Sequence, residues 1–274
     1  MPKIVKRKYL RSKLNTGQIA ILEQLYKYRF ASRIILADSL GIKANVTLYK
    51  KLEVLCKHGY IAKRFDKRLK LQGMPVAYYL TPNGWRKLHK LPNYDFIDQA
   101  FIKTTYADKR VGIDFVADTL NVHQHTKLLQ KQYPELKIFT KRELSRYSYF
   151  PELAPDALLS LPSDDPNQPH RFFFDIIPDR TPRPTLFRRI KAYCDFFEGG
   201  WDDTDSKIPV ILLVSEWGPA ERSLQRQVAR ILRSEASDLQ AYTTTTTAIE
   251  KVLKNKAIWT PVDETDELIS LGEL

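Results

Sequence analysis

The chain has 274 residues, 43% apolar and 11% aromatic, which suits a packed core and argues against a disordered polymer. Its net charge of +12 is unevenly placed: residues 1–110 carry 24 Lys or Arg against 7 Asp or Glu, residues 111–274 only 20 against 25. Two distant cysteines, Cys56 and Cys194, with no CxxC or Cys/His cluster, argue against a disulfide scaffold or structural zinc, and no apolar run reaches the roughly 18 residues of a membrane span.

In chain order, the basic start 1–14 lacks the apolar centre of a signal peptide, so a reduced, cytoplasmic protein is expected. Residues 16–28 place Ile19, Leu22, Leu25 and Tyr26 at helical spacing, with Thr16 as the expected N-cap. Residues 32–40 form a second short helix ended by Gly41. Residues 45–58 form a third, with Leu48, Leu52 and Leu55 inward and Gly59 as its stop. Two strands, 60–65 and 76–80, then flank a basic turn, and a helix follows Thr81-Pro82. Three helices and a hairpin are the pattern of a winged helix-turn-helix.

From 95 to 132 the apolar spacing is helical, as in a connector, and Pro134 punctuates it. Beyond it the sequence predicts strands at 136–140, 156–161, 171–177 and 209–215, helices at 185–197 and 219–236, and a late edge strand at 241–247. That alternation reads as an α/β domain with a mixed sheet, making the whole chain α+β. The expected divisions are 1–94, a winged helix; 95–134, a helical connector; 135–260, the α/β domain; and 261–274, a mobile acidic tail. His123 and His125 follow a helical pattern, where i,i+2 residues do not share a face, and are expected at a solvated helix end.

The charge surplus of the first half concentrates on particular elements. With its leucines inward, the third helix turns Asn45, Thr47, Tyr49, Lys50 and Lys51 outward, and the hairpin carries Lys63, Arg64, Lys67, Arg68 and Lys70. Short polar residues and lysines at a helix start reach major-groove edges and phosphates, and a basic hairpin tip suits phosphate or minor-groove contact. Double-stranded DNA is the expected partner, and six to ten phosphate contacts would cost about a thousandfold in affinity on modest salt addition. A protein-docking module whose charges are merely solvated is the alternative.

In the second half, Asp156 opens one predicted strand and Asp175 lies 19 residues later in the next. On neighbouring strands the two carboxylates would meet at one sheet end and hold Mg²⁺, with Arg188, Arg189 and Lys191 offered to a phosphate by the following helix. The alternative is that Asp156 caps or ends a strand and Asp175 pairs with Arg188 or Arg189 in a structural contact.

From about Leu14 to Thr247 the chain resembles the replication-relaxation proteins of plasmids and other mobile elements. The carrying segments are LYKKLEVLCKHGYIAKRF, LQGMPVAYYLTPNGWRKL, FPELAPDALLSL, RFFFDI, RRIKAYCDFF and IPVILLVSE. The resemblance implies a winged helix joined to a PD-(D/E)xK, restriction-endonuclease-like domain, acting in plasmid replication, relaxation or mobilisation beside a relaxase or replication initiator. It also implies that Asp156 and Asp175 are the motif acids, catalytic and metal-binding, and that Arg189 stands where relatives often carry a lysine. The motif lysine is replaced by Ile177, and Asp179 is close enough in sequence to substitute. An arginine holds a phosphate but carries no proton. The expectation is a DNA-binding protein with a degenerate nuclease-like domain. Two alternatives stay open: an active Mg²⁺-dependent endonuclease or nickase using Asp156 and Asp175, and a winged-helix repressor.

Overall fold

The computed structural model describes residues 14–65, 73–97, 102–103, 105–148, 150–151, 153–163, 165, 168–200, 207–251, 257–263 and 267–274. The basic arm and the hairpin residues Lys67, Arg68 and Lys70 lie outside them. The chain divides into two compact units, Met1–Leu120 and Asn121–Leu274, so the division falls inside the stretch expected to be a separate connector.

The first unit opens with α1 (Thr16–Tyr28). Its cap is Asn15, one residue earlier than expected: the Asn15 side chain accepts from the Gln18 amide while Gln18 accepts from the Asn15 amide. A three-residue strand, β1 (Phe30–Ser32), then precedes α2 (Arg33–Ser39) and α3 (Val46–Lys57). Next come β2 (Ile61–Arg64), β3 (Ala77–Leu80) and α4 (Pro82–His89). The three strands form an antiparallel sheet in the order β1-β3-β2.

Leu22, Leu25, Leu36, Leu48, Leu52, Leu55 and Trp85 build one core between the helices and this sheet. Gly59 sits at φ +69°, a conformation that costs little only without a side chain, and lets the chain leave α3 for β2. Gly84 is required for another reason. A Cβ there would lie 2.1 Å from the Tyr60 carbonyl oxygen, so only glycine lets α4 dock.

The helix α5 (Ile113–Gln132) contains the division between the units. The second unit continues with β4 (Lys137–Thr140), α6 (Lys141–Leu144), β5 (Ala157–Leu161) and β6 (His170–Ile176). Then follow α7 (Arg183–Gly200), β7 (Val210–Ser215), α8 (Gly218–Ser234), β8 (Ala241–Thr245), α9 (Thr246–Lys251) and β9 (Thr260–Pro261). The six strands lie in sequence order: β4, β5 and β6 are antiparallel, β6, β7 and β8 parallel, and β9 antiparallel again.

Phe172, Phe173 and Phe174 are all fully buried, as a central strand covered on both faces demands. Phe173 packs with Tyr193, Ile211 and Val228 under α7 and α8. The protein is thus α+β: helices with a small antiparallel sheet, then a mixed six-stranded sheet with helices. No helix among the described residues is long and apolar enough to cross a membrane.

Three local expectations change. The 241–247 segment is not an edge strand, because β9 pairs beyond it, and the threonine run splits where α9 begins at Thr246. The acidic tail is not wholly mobile: Trp259 bridges Ile269, and Trp259 and Leu271 are fully buried, so apolar residues anchor it. His123 and His125 are buried instead of solvated. The His125 ring Nδ1 meets the Asn121 carbonyl at 2.8 Å, and burial pushes its pKa below the ordinary value.

Candidate functional site

In the first unit α3 turns one side to the core and the other to water. Leu48, Leu52 and Leu55 are buried, whereas Val46, Thr47, Tyr49, Lys50, Glu53 and Lys57 are exposed. The spacing places Val46, Lys50 and Lys57 along one outward row. Asn45 is exposed, but its side-chain oxygen accepts from the Leu48 amide at 3.2 Å and so caps the helix. Lys51 is half-buried and lies over α1, where a Cβ on Gly17 would stand 2.5 Å from its Nζ.

The hairpin divides its two described cations. Lys63 is exposed, its Nζ 5.8 Å from the Tyr49 ring centre and 5.9 Å from that of Tyr78, a placement that draws it beside α3. Arg64 turns the other way and donates to the carbonyls of Lys109 and Val111, the latter at 2.7 Å. Its guanidinium is spent inside the unit. Arg29 is committed likewise, to the buried carboxylate of Asp108 at 2.7 Å. The arginines tie the unit together, and Thr47, Lys50 and Lys63 face outward.

In the second unit the two acids do meet. The pairing of Ala157 with Phe174 brings Asp156, just before β5, beside Asp175 near the end of β6. The Asp156 amide donates to Asp175 Oδ1 at 3.0 Å, and the Ile176 amide donates to Asp156 Oδ2 at 3.2 Å. Strand alternation puts Asp175 on the same face as Phe173, toward α7. From that helix Arg189 and Tyr193, four residues apart and therefore on one side, reach it together. Arg189 Nη1 lies 2.5 Å from Asp175 Oδ1 and 3.8 Å from Asp156 Oδ1, and the Tyr193 hydroxyl donates to Asp175 Oδ2 at 2.6 Å.

Asp175 is fully buried. Burial, and then the neighbouring Asp175 charge, raise the Asp156 pKa to about 6 against the pull of Arg189. Burial also drives the Tyr193 hydroxyl well above its ordinary value, so it stays protonated and donates.

This arrangement does not fit Mg²⁺ as it stands. The ion needs near-octahedral oxygen ligands, and both oxygens of Asp175 already accept from protein donors. The guanidinium faces both carboxylates, where a divalent ion would have to sit, and no group of three or more metal-ligating side chains occurs among the described residues. Ile177 packs into the core under α7, and Asp179 accepts from the Trp217 indole, so neither completes the pair.

No family model, curated protein or solved structure matches this chain. One contributor is missed in the sequence: Tyr193 looks like an ordinary core position on an amphipathic helix, and only its four-residue step from Arg189 flags it. Arg64, expected to reach outward, instead holds the Lys109 and Val111 carbonyls.

Proposed function

We propose that the chain is a DNA-binding protein of a plasmid or other mobile element, acting in replication, relaxation or mobilisation beside a separate relaxase or replication initiator. In this reading the first unit is a winged helix that docks on duplex DNA, with α3 in the major groove and the β2–β3 hairpin as the wing. The observation that carries it is the outward face of α3, where Thr47 and Lys50 stand free of the core with Lys63 drawn alongside. The antiparallel β4, β5 and β6, with α6 between the first two, followed by α7 and the parallel β7, support a restriction-endonuclease-like domain. Arg189 between the acids supports a degenerate one, which holds DNA without cutting it.

An active Mg²⁺-dependent nickase is the second reading, favoured by the convergence of Asp156 and Asp175. One experiment separates them. Supercoiled plasmid is incubated with the protein and Mg²⁺ or Mn²⁺, with and without chelator, for wild type and Asp156→Ala. A mobility shift without nicking is expected; metal-dependent nicking lost in the variant would establish the enzyme. No binding to any duplex would remove both readings.

A further inference from the structure

We propose that Val46 reads the 5-methyl group of thymine in the major groove, so that duplex DNA with thymine facing the first turn of α3 is the preferred ligand. The proposal rests on the DNA-binding reading and specifies its target.

Val46 is the first residue of α3 and is 65% exposed, among the most exposed large apolar side chains of the described residues. It stands on a polar face. Lys50 follows one turn later on the same row, and Lys43 precedes it in the exposed turn. An apolar side chain held in water at the tip of a basic helix gains by burial on a partner. Base edges in the major groove are polar except for the thymine methyl, the one apolar group there that such a residue can cover.

The neighbouring residues leave few other ways to read a base. Arginine, the usual reader of guanine, is absent from positions 45–57. A bidentate adenine contact needs both the oxygen and the nitrogen of an asparagine side chain, and the Asn45 oxygen is engaged by the Leu48 amide. Thr47 offers a hydroxyl and a methyl. Glu53, the acid on this face, lies beside Tyr49 and raises the pKa of its hydroxyl. Recognition of thymine at the helix tip therefore falls to Val46 and Thr47, while Lys50 and Lys63 supply attraction to phosphates or to guanine. Ile34 and Ile42 of the same unit are exposed as well, so self-association through exposed apolar side chains is the competing use of Val46.

The test uses the full chain and fluorescently labelled duplexes of alternating adenine and thymine, compared with the same duplexes built with deoxyuridine, which pairs identically but lacks the methyl. Wild type is expected to bind the thymine duplex more tightly by about fourfold for each methyl covered. Val46→Ala should bring the two affinities together, and Lys50→Ala should weaken both equally. Val46 touches no core, and melting curves of the variants verify the fold. Equal wild-type affinities, or a ratio unchanged in Val46→Ala, would overturn the proposal. A concentration-dependent dimer lost in Val46→Ala, without thymine preference, would assign the residue to self-association and overturn it too. Failure to bind either duplex would instead bring down the DNA-binding reading itself.

Discussion

The α3 face and the acid pair both depend on cations, and they use them in opposite ways. On α3, Lys50 points to water, away from the core beneath it, and Lys63 is steered by the faces of Tyr49 and Tyr78. At the sheet end, Arg189 is taken up by two carboxylates, one fully buried. A compact, strongly hydrated ammonium on a flexible stem suits a surface that waits for a polyanion. A planar guanidinium suits a fixed, partly desolvated contact. Charge count alone is therefore a poor guide to what a region binds. What matters is whether its cations are already neutralised.

The largest effect is expected at Arg189. Arg189→Ala leaves Asp175 buried without its cation, a loss expected to cost about 3–5 kcal/mol in thermal or urea denaturation. The same variant opens the space between the acids, so added Mg²⁺ or Mn²⁺ should raise its melting temperature while leaving wild type unmoved. A variant as stable as wild type would mean that the guanidinium is a bystander. Tyr193→Phe is milder. It removes one donor from Asp175 Oδ2 and keeps the ring that packs against Phe173, so about 1–3 kcal/mol is expected by the same measurement.

Much of this was legible in the sequence, and the failures have physical causes. The leucine spacing of α3, the glycine stop at Gly59 and the apolar run of β6 each reflect one strong local rule, and each element forms where the rule puts it. β1 was missed because three residues carry no period; Phe30 joins the sheet through pairing with Tyr79, a partner 49 positions away. The adjacency of Asp156 and Asp175 was readable because one hairpin brings them together. The role of Arg189 was open because a cation on a helix looks the same whether it meets a phosphate or an acid. His123 and His125 depart from expectation because a helical pattern does not show which of its polar residues are covered, and α5 buries both.

The charge on Asp156 is open to a pH experiment. Asp156 titrates near 6 in the folded chain, above the ordinary 3.8. An acid whose pKa is raised by folding favours the native state most below its unfolded value and loses that advantage as pH rises through about 6. Asp156→Asn cannot ionise, so it should gain about 1–2 kcal/mol on wild type at pH 8 and little at pH 4. Equal effects at both values would show that the burial of Asp156 is not felt as a charge cost.

The smallest effect falls on the opposite side, where the cation is free. Removing Lys50 should leave the melting temperature unchanged, because the side chain is exposed and holds nothing in place. Its cost should appear only with DNA, as one fewer counterion released, so a plot of log affinity against log salt should lose about 0.9 from its slope. Arg64→Ala is the matched control. Its guanidinium holds the Lys109 and Val111 carbonyls, so it should lower stability and leave the slope alone. If the two variants exchange these signatures, with Arg64 carrying the salt dependence and Lys50 the stability, the division between committed arginines and outward lysines is wrong.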